Sequence, residues 1–480
     1  MPRGWIRATL VAASLMVAPW TTTCGGSPTA TQPPDNKEPE TVGRVIVSPD
    51  ADTIFTGGAQ QFSATVEDVD GNHLTGTSVT WSSSNPDVAT VDATGLGTGV
   101  SEGEVTIVAT SQGVSGQTAL TVARMEEDNL SAGAVGACGL TTTGQAYCWG
   151  DNSWGQLGNG RNDPSNVPVA VSGGLTFQEI GAGHDHTCGL TNAGQVYCWG
   201  DNSQGQLGNG TNDPSDVPVA VSGGLKFQWI SAGDSHTCGL TVSGRAYCWG
   251  NNWDGKLGNG GNDPSDVPVA VSGGLSFQWI SAGLDHTCAI TRTGQAYCWG
   301  WNGWGQLGSG GLDSAVPVPV SGGLSFQRIS AGWTHTCALT NSGQAYCWGG
   351  EFPDRGELGN GTTEPSAVPV AVSGGLSFQD ISAGLDHTCA LTSSGQAHCW
   401  GSNYYGTLGN GTDDPLSDVP VAVSGGLTFE RITAAADHDC ALTGAGQVYC
   451  WGSNSDGQLG TGTNDASNVP VAVSGGLTFR

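Results

Sequence analysis

The sequence predicts an all-β chain in which a small β-sandwich precedes a seven-bladed β-propeller. Fourteen of the fifteen cysteines fall into pairs ten residues apart, and the pairs recur every 49 to 52 residues. A fixed period of that size marks an array of one supersecondary unit. Within the unit, short β-branched and aromatic runs alternate with Gly, Asn, Asp and Pro, the pattern of strands and turns. No stretch of the array carries a 3.6-residue apolar period, so no helix is expected. The ends of the array supply the third observation. Phe479-Arg480 matches Phe227-Gln228, and Asn129-Leu130-Ser131 matches Trp229-Ile230-Ser231, so the last residue stops where the first unit takes up. An open array needs distinct caps. A seamless cut predicts a closed ring whose first blade is completed by C-terminal strands, which protects the sheet edges.

Taken in chain order, residues 1–24 read as an export signal. Arg3 and Arg7 precede an apolar run from Ala8 to Trp20, too short to span a bilayer permanently. Cys24, the cysteine left over from the pairs, follows that run and precedes Gly25-Gly26-Ser27-Pro28. Its position resembles that of the lipidated cysteine of bacterial lipoproteins, which implies an anchor at Cys24, although Thr21-Thr22-Thr23 departs from the usual flank. Cleavage near Ala18, or a thiol lost with the leader, are the other readings. Residues 25–42, rich in Pro, Thr and Glu, are expected to be a disordered linker.

Residues 43–123 hold alternating runs: Arg44–Val47, Gln61–Val66, Val79–Trp81, Val88–Val91 and Glu104–Thr110. Their spacing predicts a small sandwich. The stretch Val79-Thr-Trp-Ser-Ser-Ser-Asn-Pro-Asp-Val-Ala-Thr-Val91 resembles the bacterial group 2 immunoglobulin-like domain, which implies an immunoglobulin-like β-sandwich acting as a spacer or adhesive unit. The segment has no cysteine, so an apolar core has to hold it, and about 80 residues suffice for that.

Residues 129–480 form the seven units. In the second, strands are expected over 188–191 and 195–199, split by Asn192-Ala193-Gly194; a Gly/Asn-rich loop then leads to Val217-Pro-Val-Ala-Val221. The phrases Ala-Gly-x-x-His-Thr-Cys-Ala-Leu-Thr, Gly-Gln-Ala-Tyr-Cys-Trp-Gly and Gly-Gln-Leu-Gly-Asn-Gly resemble the repeat of the regulator of chromosome condensation family. The resemblance covers all seven units and implies a seven-bladed propeller. It is specific for fold and not for activity: members include a Ran nucleotide-exchange factor, a plant ultraviolet receptor and a secreted inhibitor of β-lactamases.

The paired cysteines replace apolar residues of that family pattern. Cys188 and Cys198 are equidistant from the hairpin tip at Ala193, so they face each other across two antiparallel strands, about 4.5 to 5.5 Å apart at Cα. The same holds for Cys138/Cys148, Cys238/Cys248, Cys288/Cys298, Cys337/Cys347, Cys389/Cys399 and Cys440/Cys450. Seven cross-strand disulfides are the natural reading, and they require an oxidising compartment. Zinc is a rival reading, but each blade offers it at most two Cys and one His; free buried thiols are another.

The chain carries 14 Lys+Arg against 42 Asp+Glu, a formal charge of −28. Nucleic acid is an unsuitable ligand, because phosphate binding needs a basic surface. Anionic membrane surfaces are disfavoured for the same reason, which leaves the lipid anchor as the route to a membrane. A basic partner would be steered inward.

A histidine precedes the first cysteine in six units: His186, His236, His286, His335, His387 and His438. The family resemblance implies a structural role, with hydrogen bonds to neighbouring backbone, rather than metal binding. The tryptophans after each second cysteine (Trp149, Trp199, Trp249, Trp299, Trp348, Trp400, Trp451) are expected to pack blades. Loops such as Asn212-Asp213-Pro214-Ser215 offer calcium-like oxygens but also ordinary turn chemistry. No cofactor is called for and no metal site is assigned. No nucleophile elbow, phosphate loop or HExxH motif occurs, and the chain is read as a non-enzyme.

Function is expected where the units disagree. One variable pair precedes each histidine position (Ala134-Val135, His184-Asp185, Asp234-Ser235, Leu284-Asp285, Trp333-Thr334, Leu385-Asp386, Ala436-Asp437). A second stretch follows each Trp-Gly. Both flank the hairpin at the end opposite its tip, so all seven blades should gather them on one face. That face is predicted to carry Trp154, Trp253, Trp301, Trp304, Trp333, Phe352, Tyr404 and Tyr405, and clustered exposed aromatics mark interfaces. The expected function is an exported or cell-surface scaffold that binds an extracellular protein or polysaccharide. Guanine-nucleotide exchange and inhibition of a secreted enzyme are the alternatives.

Overall fold

The computed structural model describes residues 41–55, 59–101, 103–123, 128–350 and 355–480. The signal at 1–24, Cys24, nearly all of the 25–42 linker and Phe352 lie outside these. Among the described residues no helix occurs, and every element is a strand.

The N-terminal unit begins with Val42–Ser48 paired to Ser63–Asp68, one residue inside the segment read as linker. Two further sheets follow. One orders Ala51–Phe55, Val114–Ala123, Gly103–Ser111 and Thr80–Ser83; the other orders Ala59–Gln61, Leu96–Gly99 and Ala89–Val91. Val45, Val47, Ile54, Phe62, Ile107 and Leu120 fill the space between them, and Trp81 packs on Phe62 at 6.4 Å between ring centroids. The apolar core holds this unit without a disulfide, as the sequence requires.

Seven four-stranded antiparallel sheets make up the rest. In blade 3 the strands run Phe227–Ala232, His236–Thr241, Ala246–Gly250 and Ser265–Ala270, in that order from the centre outward. The first strands of neighbouring blades pack side by side around an axial channel. The central hairpin strands begin and end slightly differently from the sequence reading: His186–Leu190 and Val196–Gly200 in blade 2. The histidine is the first paired residue of its strand, opposite Gly200.

All seven disulfides are in place. Strand register sets Cys138 opposite Cys148, Cys188 opposite Cys198, Cys238 opposite Cys248, Cys288 opposite Cys298, Cys337 opposite Cys347, Cys389 opposite Cys399 and Cys440 opposite Cys450. Their geometry corrects the sequence expectation in one respect. The Cα atoms stand 4.0 to 4.1 Å apart, closer than the expected spacing. None of these cysteines reaches the surface. Cys148, Cys298, Cys347 and Cys399 have no solvent exposure, nor do the others except Cys138, at 2%. They are therefore structural residues of the core and take no part in the loop face.

The cores lie between blades rather than within them. Cys188, Leu190, Val196 and Cys198 of blade 2 pack against Phe227, Ile230 and Trp249 of blade 3. Cys148 likewise packs toward Phe177 of blade 2, Cys298 toward Phe326 of blade 5, Cys347 toward Phe378 of blade 6 and Cys399 toward Phe429 of blade 7. The seven repeat tryptophans are fully buried. Each donates its indole N–H to a loop carbonyl of the preceding blade, as Trp249 does to Gln206 at 2.9 Å. One glycine of each Gly-Gln-Leu-Gly loop makes that approach possible. A Cβ on Gly208 would sit 2.6 Å from Trp249 Nε1, at a φ of +65°.

The ring closes, by a smaller device than expected. All four strands of blade 1 come from residues 130–170. The C-terminus adds only an extension of the innermost strand: Phe479 bridges Thr141, and Arg480 N–H reaches the Leu140 carbonyl at 3.0 Å. Val471 and Val473 instead belong to the outer side of blade 7. The seam is otherwise sealed like every other junction, with Leu130 and Trp149 of blade 1 packed on Cys440, Cys450 and Phe479.

On the rim, each outer strand repeats Val-Pro-Val. Proline has no N–H to offer at an exposed edge, which discourages further strand addition.

Candidate functional site: the loop face of the ring

The repeated histidines resolve first, because they border the face. His186 Nε2 lies 2.8 Å from Thr237 Oγ1 of the next blade, and Thr237 donates to the Gln206 carbonyl at 3.0 Å. With the hydroxyl proton committed to that carbonyl, the histidine must donate: it is the neutral Nε2–H tautomer. His236, His286 and His335 repeat the arrangement with Thr287, Thr336 and Thr388. For these four the partner is therefore a side chain of the adjacent blade, not backbone as the family resemblance implied, whereas His438 faces the backbone of Gly136. Burial holds these imidazoles down, to about 4 for His186 and about 3 for His286 and His335.

A long loop follows the third strand of each blade and, in every blade but the fifth, carries an asparagine that pins it. Asn202 donates to the carbonyls of Thr211 and Asp213 at 2.8 and 2.9 Å and accepts from Leu207 N–H at 2.9 Å. Asn152, Asn252, Asn403 and Asn454 do the same in their blades. The two residues after each asparagine, which vary between units, ride on a fixed frame.

The two variable stretches meet. Lys256 Nζ, in the blade 3 loop, contacts the Asp285 carboxylate of the blade 4 variable pair and reaches the Leu284 carbonyl at 3.1 Å. Arg355 of blade 5 pairs with Asp386 of blade 6 in the same way. These two long loops thus lean over the variable pair of the next blade, and both stretches occupy the face opposite the hairpin tips.

Of the predicted aromatics, Trp154, Trp253, Tyr404 and Tyr405 are exposed, at 47, 67, 82 and 47%. Trp301 and Trp304 are half-buried and meet edge to face at 6.0 Å. Trp333, also half-buried, leans across the channel mouth onto His184, 6.0 Å between centroids, linking blade 5 to blade 2. Tyr404 and Tyr405 touch at 5.6 Å. The described positions therefore form pairs and single posts distributed around the face.

Two openings lie among them. The axial mouth is a cavity of about 180 Å3 rimmed by His184, Asp234 and Trp333 and floored by the Ala-Gly steps. Those glycines allow neighbouring blades to meet: a Cβ on Gly183 would lie 2.3 Å from the Gly233 carbonyl oxygen. A hydrogen bond that His184 donates to the Asp185 carboxylate, 2.9 Å away, raises the pKa of His184, and burial raises that of Asp234. The second opening, about 340 Å3, lies between blades 6 and 7 and is lined by Arg355, Asp386, His387, Tyr404, Tyr405 and Asp437.

Family models agree with this geometry. The regulator of chromosome condensation (RCC1) repeat model matches residues 143–190, 193–240, 243–290, 293–339, 342–391, 394–442 and 445–479. The chain belongs to the RCC1 repeat family. Residues 41–122 match the bacterial Ig-like domain (group 2). Among curated RCC1-repeat relatives, the ultraviolet-B receptor UVR8 of Arabidopsis thaliana is 34% identical over 116 residues, 23% of this chain and 26% of the receptor. The chain thus spans about a quarter of that relative's length. Among solved structures, human WBSCR16 superposes with a TM-score of 0.63 at 22% identity, covering 69% of this chain and 94% of that one. Prp20p of Saccharomyces cerevisiae gives 0.61 at 22%, covering 70% and 87%. At these identities the likeness is one of fold.

The RCC1-type repeats also hide variation that sequence reading passed over. The third residue of the Phe-Gln-x-Ile phrase varies between units: Glu179 in blade 2, then Trp229, Trp279, Arg328 and Asp380, with Arg431 at the matching position of blade 7. Trp229 and Trp279 meet at 4.3 Å between centroids, and Arg328 lies 3.4 Å from Asp380 and over the Trp279 ring. Together with Asp128, whose carboxyl burial lifts to about 7, Trp229, Trp279, Arg328, Asp380 and Arg431 line a cavity of about 110 Å3 toward the hairpin-tip end of the channel. Disagreement between copies at that one position was the available signal.

Proposed function

We propose that this chain is an exported binding protein, anchored through Cys24, whose propeller recognises an extracellular protein or glycan with its loop face. One observation carries the reading. The residues common to the seven units are spent on holding the ring, whereas the two variable loop stretches of each unit sit on one face and include its exposed aromatics, Trp154, Trp253, Tyr404 and Tyr405. Rigid frames bearing exposed aromatic side chains suit recognition, because little ordering entropy is lost on binding. The seven disulfides support an oxidising location, and a bacterial immunoglobulin-like module fits a spacer between anchor and propeller.

Nucleotide exchange on a GTPase is the second reading. It draws on Prp20p, whose structural description concerns binding to Gsp1p and histones. A chain stapled for an oxidising compartment fits that reading poorly, because GTPase substrates are cytosolic and nuclear.

Affinity capture from the native culture tests the proposal, comparing the full oxidised chain with Trp154→Ala plus Trp253→Ala. Both side chains are exposed, so the fold should be retained. The expected result is at least a tenfold loss of the captured partner. Equal capture by both proteins would remove the loop-face assignment.

A further inference from the structure

The opening between blades 6 and 7 has a chemistry that the other loops lack. Blade 5 carries a longer loop than its neighbours, and Arg355 at its end occupies the place that Trp154, Gln204 and Trp304 hold in other blades. Arg355 reaches across to pair with Asp386, whose side chain is 12% exposed. The arginine is thereby fixed to one wall. Tyr404 and Tyr405 form another wall, their rings set at 68° to each other. Asp437 lies on the blade 7 side, half-buried. Burial raises the pKa of its carboxyl, against the pull of His387, and His387 is itself bonded to Asp439 at 2.7 Å.

A half-buried carboxylate beside two aromatic faces is the arrangement that attracts an organic cation, through charge pairing and the ring quadrupole together. The formal charge of −28 would draw such a ligand toward the whole molecule. We propose that this cavity receives a lysine side chain of a protein partner, with Asp437 as counter-ion and Tyr404 and Tyr405 as cation–π walls. This rests on the loop face being the binding face, and it names the partner class as a basic protein rather than a glycan.

The test uses the full oxidised chain and calorimetric titration at low ionic strength. The probes are a tetralysine peptide, the same peptide with every Nζ acetylated, and a chitooligosaccharide. The tetralysine peptide should bind, and acetylation should weaken it at least tenfold. Asp437→Asn and Tyr404→Ala should each weaken it at least fivefold. Tyr404 is 82% exposed, so its replacement probes the site without threatening the fold. Equal binding of the free and acetylated peptides would overturn the assignment. So would unchanged binding in both variants, or binding of the oligosaccharide alone. If Trp154→Ala plus Trp253→Ala abolishes capture while tetralysine does not bind, the lysine pocket falls and the loop face stands. If tetralysine binding follows Asp437 while capture ignores Trp154 and Trp253, the pocket stands and the wider face falls.

Discussion

His387 of blade 6 bonds Asp439 of blade 7 at 2.7 Å, with both side chains buried, where His186, His236, His286 and His335 bond threonine. One junction of the ring therefore holds a charged pair in place of a neutral one. Burial alone would push the His387 imidazolium down; the Asp439 carboxylate outweighs it and holds the pKa above the ordinary histidine value. Replacing a buried ion pair with neutral groups is often close to neutral, whereas removing one partner strands a charge. Asp439→Thr restores the arrangement of the other blades and should change stability by no more than about 1 kcal/mol. His387→Ala leaves the carboxylate alone and should cost about 3 kcal/mol or more. Denaturant unfolding of the two variants separates them.

The neutral histidines make the ring acid-sensitive. Their folded pKa values, about 4 for His186 and about 3 for His286, His335 and His438, lie below the ordinary value of 6.5. The unfolded chain binds their protons first. Stability from these groups is therefore complete above about pH 6.5 and falls as pH drops from there toward 3, by up to about 1.4 kcal/mol per pH unit for each histidine. His387 runs the other way: its contribution is present below about pH 6.5 and is lost as pH rises through its raised folded pKa. Melting temperature should decline steeply between about pH 6.5 and about pH 4.5, and His286→Gln should flatten that decline.

Ring closure is testable at one residue. Phe479 is 3% exposed and packs against Trp149 of blade 1 at 6.1 Å, as Phe277 packs on Trp299 within blade 4 at 6.0 Å. In a closed ring, Phe479→Ala should cost about 3 to 5 kcal/mol, like Phe277→Ala. In an open array, a phenylalanine next to the chain end would cost little.

The disulfides should each be confined to their own hairpin. Non-reducing peptide mapping should link Cys238 only to Cys248, Cys138 only to Cys148, and likewise in the other five blades. Both sulfurs of each pair are buried, so dithiothreitol should leave the native chain oxidised until it unfolds. Replacing one pair, such as Cys288 and Cys298, by serine should cost about 2 to 3 kcal/mol, from the loop-closure entropy of so short a loop.

The sequence makes the hairpins, the disulfides and the face that gathers the variable loops legible because seven imperfect copies separate what holds the ring from what does not. Cys188 and Cys198 are symmetric about their turn, and that symmetry sets their register. Asp439 is legible too, as the His-Asp-Cys phrase among His-Thr-Cys phrases, although its partner across the blade junction is not. Trp301 shows the limit. It looks like a surface aromatic when the repeats are laid side by side, but its ring folds back over Gly303, where a Cβ would lie 2.2 Å away. Side-chain direction within a loop depends on local packing that no repeat period encodes. Trp229 and Trp279 escape notice for a related reason: a strand pattern indicates that alternate residues are buried, but not that one side is an axial channel.

The most direct test of the account is hydroxyl-radical footprinting of the full chain, free and with its captured partner. The account predicts protection at Trp154, Trp253, Tyr404 and Tyr405, with the hairpin tips around Thr143, Val242 and Arg292 unchanged. Protection at those tips or along the outer strands around Val217 and Val267, with the four loop-face aromatics unaffected, would contradict it.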